Sequence, residues 1–282
     1  METSHALSPI TRIIKYTFID EVRQRSFVIM FVICAICVFL LRGCYQGNYM
    51  VNGHSLDAGT VVRALSKVVF HIISAGVMVI TALLSMRVFR RDRNEGMQSC
   101  LLSKPIARWQ YVMGKIVGLW LLSVLFMFIL HSIVFLITSI NLNVFMPEYL
   151  VASLLCSINL LFVIIAMLLL SLLMPDFVAF LTVLGVGIVG LVADGIAAAS
   201  HSQIAEAIVQ QSGGHPQSDW AWWKIVYFLW PKLSGVQQVA SSLIESESFH
   251  GFASIYPLIN VLFYCLILGA LLFKRFGNED IV

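Results

Sequence analysis

Six long apolar stretches, separated by polar segments, dominate the chain and set its predicted architecture. They are Phe27–Leu41, Val68–Met86, Ile116–Ile140, Tyr149–Met174, Phe177–Val192 and Ile255–Phe273. A spanning helix needs about 20 apolar residues, because the hydrocarbon core is about 30 Å thick and each residue rises about 1.5 Å. Only Pro175-Asp176 separates the fourth stretch from the fifth. Proline cannot continue a helix and an ionised aspartate is costly inside a bilayer, so we expect an interfacial turn there.

The composition supports a membrane protein with little soluble mass attached. Charged residues make up 12% of the 282 residues, about half of what a soluble domain carries. The mean hydropathy is +0.89. Lipid must therefore cover most of the surface, and we expect one all-α polytopic membrane domain over residues 1–282, with six transmembrane helices.

The distribution of lysine and arginine predicts the orientation. With the N-terminus in the cytoplasm, thirteen of the 18 cations lie inside and the other five lie outside. The outer five are Arg42, Arg63, Lys67, Lys224 and Lys232. This bias is what the positive-inside rule requires, and six spans then leave both termini in the cytoplasm.

Residues 8–25 predict an N-terminal amphipathic helix. Ser8 can cap its start and Pro9 suits its first turn. Apolar side chains recur at helical spacing on one side, namely Ile10, Ile13, Ile14, Phe18 and Val22, whereas Arg12, Lys15 and Arg23 gather on the other. This pattern is typical of a helix that lies on the inner leaflet. The alternative is an ordinary charged leader.

Residues 87–115 form the most charged segment and are predicted to be a cytoplasmic loop. A short helix from about Asn94 to Leu102 would place Met97 and Leu101 on one side, and Pro105 would start a second helix. A solvated loop does not need an apolar face, so we expect a docking surface. The alternative is that this face lies in the lipid interface.

Residues 193–254 form the predicted extracytoplasmic segment before the last span. Trp220, Trp222, Trp223 and Trp230 crowd into eleven residues of it. Clustered tryptophans are typical of the membrane–water interface. We therefore expect short helices that dip into the outer leaflet and return.

Several motifs of catalysis or ligand binding are present only in part. Gly185-Val186-Gly187-Ile188-Val189-Gly190 matches G-x-G-x-x-G, but it lies inside an apolar span without the strand that a dinucleotide site needs. We expect these glycines to permit close helix packing. His71 and His131 lie within spans and Asp194 at a span end, and for the histidines a neutral, hydrogen-bonded state is expected. The sequence indicates no catalytic residue, no metal site and no cofactor on this chain.

The loop carries a resemblance to a known family. Glu95-Gly96-Met97, then Leu101-Leu102-Ser103-Lys104-Pro105-Ile106-Ala107-Arg108 and Gly114-Lys115, resemble an element of type-two ABC exporter permeases. Permeases for nitrous-oxide-reductase maturation and for gliding motility are similar. Met97 stands where that family usually has threonine. The overall plan is also similar, with an N-terminal elbow helix, six spans and a cytoplasmic loop after the second span.

The resemblance implies a partner and a set of contact residues. Two copies of such a permease form a homodimer in the bacterial inner membrane, and they pair with a separate cytoplasmic ABC ATPase that binds ATP and Mg. The loop then provides the coupling helix. By this resemblance Glu95, Gly96, Met97, Leu101, Leu102 and Ser103 contact the ATPase. Arg90, Arg91 and Arg93 contact the ATPase or anionic membrane lipid.

Two other classes of protein fit the sequence less well. A membrane scaffold or assembly subunit would keep the spans and the docking loop. An ion-coupled secondary transporter usually shows internal repeats and charged or broken helices near the midplane, and this chain has nearly charge-free spans. Sparse midplane charge favours lipid-linked, hydrophobic or bulky cargo over a small ion, although a polymer or a maturation factor fits as well.

Overall fold

The fold is nearly all helical. The computed structural model describes residues 9–40, 42–43, 50–51, 54–55, 58–94, 96, 107–142, 145–200, 228–244 and 251–278. In these ranges the helices are α1 (Pro9–Arg23), α2 (Arg25–Leu40), α3 (Ala58–Met86), α4 (Val88–Asn94), α5 (Arg108–Leu142), α6 (Glu148–Leu173), α7 (Asp176–Ser200), α8 (Leu233–Ile244) and α9 (Gly251–Gly277). Two antiparallel strands of two residues each, β1 (Met50–Val51) and β2 (His54–Ser55), lie between α2 and α3. The all-α expectation is therefore amended by this small hairpin.

Five helices are individually long and apolar enough to cross a membrane. They are α3, α5, α6, α7 and α9, and each of them corresponds to one of the predicted spans. The first predicted span forms α2, whose 16 residues reach only about 24 Å. It completes a sixth crossing if it is taken together with α1, from which it is bent by 68°. The protein is thus a multi-pass membrane protein with five to six crossings, and six spans remain the prediction.

The helices extend beyond their apolar runs. The third helix begins at Ala58, ten residues before the predicted Val68, and α7 continues to Ser200, past Val192. The added residues include charged and small ones, such as Arg63, Lys67 and Asp194, so the bounds predicted from hydropathy excluded these parts of the helices. Pro175 forms the predicted break between α6 and α7, so two helices and not one fill this apolar region.

Helix α6 is the centre of the bundle. It contacts α3, α4, α5, α7, α8 and α9, and most of its length is buried. Its buried Asn159 donates a hydrogen bond of 2.8 Å to the carbonyl of Leu233 at the start of α8. A side-chain amide inside a membrane bundle needs such a partner, because hydrocarbon offers none. This bond ties α8 to the core.

Helix α8 packs inside the bundle. It lies within residues 193–254, the segment predicted to dip into the outer leaflet. Its buried side chains include Val236, Ala240 and Ile244, and it contacts α3, α6, α7 and α9. The tryptophans at 220, 222 and 223 lie outside the described residues. Trp230 is described, and its indole N–H donates to the carbonyl of Val186 at 3.3 Å.

The outer surfaces of α2, α7 and α9 are apolar. Exposed side chains include Ile29 and Ile33 on α2, Val189 on α7 and Leu266 on α9. Such surfaces suit hydrocarbon as the solvent. The expectation of close packing at the α7 glycines holds only in part. A Cβ added at Gly185 or Gly187 would meet no atom within 4 Å, whereas Gly190 approaches the ring of Trp230.

Candidate functional site

The candidate site is the end of the bundle around α4, which we call the α4 end. It comprises α1, α4, the start of α5, the turn between α6 and α7, and the end of α9. Helix α4 follows α3 after a turn at Arg87. Successive residues of a helix point about 100° apart, so Arg90, Arg91 and Asp92 face three directions. Each of them contacts a different helix, and together they hold α4 in place.

Asp92 and Lys115 form a buried ion pair between α4 and α5. The Lys115 Nζ lies 2.6 Å from Asp92 Oδ2, and the two side chains are 0% and 1% exposed. The hydroxyl of Tyr111 donates to the same carboxylate oxygen at 2.5 Å. The ammonium group also lies 5.3 Å from the ring centroid of Tyr16 on α1, within cation–π range. Buried charges persist only when paired in this way.

Arg91 joins α4 to α1. Its Nη2 donates to Asp20 Oδ2 at 2.5 Å and to Glu21 Oε1 at 2.7 Å. The other carboxylate oxygen of Glu21 accepts a hydrogen bond from Gln24 at 2.7 Å. Burial raises the pKa of Glu21, and the neighbouring Arg91 opposes that rise. The buried carboxyl therefore depends on Arg91 to remain ionised.

Arg90 joins α4 to the start of α7. Its Nη1 lies 3.1 Å from Asp176 Oδ2, and the arginine side chain is 71% exposed. An exposed pair of this kind contributes little stability, and its partners exchange readily. Arg90 is therefore the most available of the three α4 side chains that pair with other helices.

Aromatic rings fill the space between these charges. The ring of Phe89 lies 5.3 Å from that of Phe276 and 6.2 Å from that of Tyr111, so α4, α5 and α9 meet at one cluster. The guanidinium of Arg108 donates to the carbonyl of Gly277 at 2.8 Å. Charge pairs and apolar packing both fix the position of α4.

Helix α1 packs directly on α5. A Cβ added at Gly114 would lie 2.6 Å from Ile13 Cγ2, and one at Gly118 would lie 2.8 Å from Thr17 Cβ. Glycine four residues apart is the spacing that lets membrane helices approach closely. The sequence analysis missed this Gly114-x-x-x-Gly118 signal.

The buried side of α1 differs from the predicted one. Ile13, Thr17 and Glu21 are its buried residues, whereas the predicted apolar residue Val22 is exposed. The helix itself and the exposed positions of Arg12, Lys15 and Arg23 agree with the prediction. Packing on the glycines of α5, and not hydropathy alone, selects the buried side.

The predicted coupling residues are only partly described. Glu95, Met97, Leu101, Leu102 and Ser103 lie outside the described residues. Gly96 is described, with φ of 67°, and its N–H bonds to the carbonyl of Arg93 at 3.1 Å. This left-handed conformation favours glycine and ends α4. Arg93 is exposed near the end of α4.

The predicted candidates at the other end of the bundle are packed into the core. The Nδ1 of His131 lies 3.0 Å from the carbonyl of Met127 and 3.1 Å from the hydroxyl of Ser153. Asp194 pairs with Lys232 Nζ at 3.2 Å and accepts from the hydroxyl of Ser234. Within the described ranges, no three His, Cys, Asp or Glu side chains are placed to hold a metal ion. The contacts of Asp194 with Lys232 and Ser234 hold the start of α8 against α7.

Comparison with known proteins agrees with the helical membrane architecture. No curated protein matches the chain. A family model described as ABC-2 family transporter protein matches residues 11–281, nearly the whole chain. That range includes the α4 end and every membrane-crossing helix described above. The chain therefore belongs to the ABC-2 family of transporter proteins.

Proposed function

We propose that the chain is the membrane-spanning permease subunit of an ATP-driven ABC export system. A separate cytoplasmic ABC ATPase would supply the hydrolysis, and two permease copies would work together in a bacterial inner membrane. Membership of the ABC-2 family supports the permease role. The excess of lysine and arginine at the predicted inner side supports placing the α4 end in the cytoplasm.

The attachment of α4 is the observation that carries this proposal. Three successive side chains fasten α4 to α7, α1 and α5, and the predicted coupling segment begins directly after α4 at Glu95. Because α4 is bound to several helices, a displacement of the coupling segment that moves α4 would also move those helices. An ATPase bound to residues 95–103 would therefore move α1, α5 and α7 together.

The predicted contact residues divide into two groups. Glu95, Gly96, Met97, Leu101, Leu102 and Ser103 would bind the ATPase. Arg90, Arg91 and Arg93 would contact the ATPase or anionic lipid. Because Arg91 is engaged by Asp20 and Glu21, its main role in this proposal is to hold α4 on α1.

Substitution in the coupling segment tests the proposal. We expect Met97→Asp or Leu101→Asp to abolish the coupling of ATP hydrolysis to transport, because a carboxylate would have to be desolvated in the docked complex. The measurement is stimulation of the partner ATPase by the reconstituted permease. Phe145→Asp, which places the same charge on an exposed residue between α5 and α6, is the matched control.

Normal stimulation by both coupling variants would count against this segment as the coupling element. Insertion of every variant is checked by membrane fractionation. A scaffold subunit would co-purify with the ATPase without any stimulation of hydrolysis by substrate, which separates that alternative from the permease.

A further inference from the structure

A basic groove opens at the α4 end between α4 and the start of α7. It has a volume of about 850 Å³, and its charged walls are formed by Arg87, Arg90, Arg91 and Asp176. Arg87, Arg90 and Asn94 recur at three- and four-residue spacing, so they share one side of the turn and of α4. Arg91 is paired with Asp20 and Glu21, so Arg87 and Arg90 are the lining cations that face the single carboxylate of Asp176. The part of the groove formed by Arg87, Arg90 and Asp176 therefore carries one excess positive charge.

Two of these arginines are available to a ligand. Arg87 is exposed, and no described side chain pairs with it. Arg90 is 71% exposed in a surface pair with Asp176 that contributes little stability, so it can exchange that partner for a phosphate. Arg91 is committed to Asp20 and Glu21.

Helix α7, which borders the groove, also borders an apolar crevice together with α3, and Val163 of α6 and Leu233, Ser234 and Gln237 of α8 complete its lining. Met86 of α3 and Phe177 of α7 lie at the rim of the groove, and Phe177 is 66% exposed. Further along α3 and α7, Ala82 and Phe180 line a crevice of about 100 Å³ that continues to Ala75 and Leu191. Its lining is almost wholly apolar.

The length of this path matches one lipid leaflet. Eleven residues separate Met86 from Ala75, which corresponds to about 17 Å along α3. Half of the hydrocarbon core measures about 15 Å. Gly187 widens the crevice, because a Cβ added there would meet no atom within 4 Å.

We propose that this groove and crevice bind one anionic phospholipid of the inner leaflet. Arg87 and Arg90 hold its phosphate, and one acyl chain lies between α3 and α7. The apolar continuation favours a lipid over a soluble protein, because the crevice lies between helices long enough to cross the membrane, where a cytoplasmic ATPase does not reach. The proposal rests on the cytoplasmic placement of the α4 end in the proposed function, but it does not depend on coupling to an ATPase.

The test titrates purified full-length permease in detergent with phosphatidylglycerol or phosphatidylcholine of identical chains, read by native mass spectrometry. We expect one phosphatidylglycerol per chain to bind more tightly than phosphatidylcholine. Arg87→Gln/Arg90→Gln should weaken phosphatidylglycerol binding by about 30-fold, given the attraction expected of two arginines near an anionic surface. Lys274→Gln/Arg275→Gln removes two exposed cations at the end of α9 and should leave binding unchanged.

A second pair of variants tests the crevice. Gly187→Leu fills it and should weaken phosphatidylglycerol binding. Gly185→Leu adds the same side chain at a glycine that also has open space but does not line the crevice, and it should bind normally.

Equal affinity for the two lipids, or equal losses in the arginine variant and its control, would overturn the proposal. Unchanged lipid binding by Arg87→Gln/Arg90→Gln together with loss of ATPase binding would also overturn it and assign the groove to the ATPase. Because lipid binding is measured without the ATPase, its failure is distinguishable from a failure of the coupling variants.

Discussion

The ion pair between Asp92 and Lys115 offers the sharpest test of how α4 is held. Asp92→Leu would leave a buried ammonium, and Lys115→Met would leave a buried carboxylate with only the Tyr111 hydroxyl as partner. Breaking a buried pair from one side typically costs about 3–5 kcal/mol. We expect each single variant to lose free energy of unfolding in this range, because both side chains are at most 1% exposed.

The double variant Asp92→Leu/Lys115→Met should recover most of that loss. Replacing a buried ion pair by apolar residues of similar volume is often neutral or stabilising. The assay is equilibrium unfolding in mixed detergent micelles with SDS, analysed as a double-mutant cycle. Single variants that each lose less than about 1 kcal/mol and combine additively would refute the buried pair.

Two further predictions concern α1. Gly118→Ala should destabilise the protein by about 1–3 kcal/mol in the same unfolding assay, because its Cβ would overlap Thr17. Gly185→Ala, with open space around it, should be neutral or slightly stabilising. Equal effects of the two substitutions on the free energy of unfolding would contradict close packing of α1 on α5. Burial raises the folded-state pKa of Glu21 above its ordinary 4.5, so the folded state retains a proton that the unfolded state releases. The contribution of Glu21 to the free energy of unfolding should therefore fall as pH rises from 4.5 through the raised pKa. Glu21→Gln should flatten that part of the curve of stability against pH. An unchanged curve in this variant would contradict a raised pKa at Glu21.

The sequence predicted the membrane-crossing helices well because each apolar run is long. It placed their ends poorly, as at Ala58, because hydropathy reports the solvent around a helix and not where the helix stops. The bend between α1 and α2 was also not predicted from the sequence. It depends on α1 packing against α5, about a hundred residues along the chain.

The candidate site was only partly predictable. The resemblance implied contacts of Arg90, Arg91 and Arg93 with the ATPase or anionic lipid, but it did not predict the partners that Arg90 and Arg91 have within the bundle. Asp20 and Asp176 belong to elements that meet α4 only in the folded bundle. Lys115 was predicted as an inner cation and as part of the family motif, but its ion pair was not predicted, although a lysine followed directly by an apolar span at Ile116 indicates a need for a buried partner.

The side of the membrane that α4 faces is the most direct test of the whole account. In a cysteine-free variant, Arg93→Cys and Phe145→Cys would each provide one exposed thiol, at opposite ends of the bundle. A membrane-impermeant maleimide is applied to intact cells and to inverted membrane vesicles. We predict that Arg93→Cys is labelled only in inverted vesicles and Phe145→Cys only in intact cells. Labelling of Arg93→Cys from outside intact cells would place the coupling segment beyond the reach of a cytoplasmic ATPase and contradict the account.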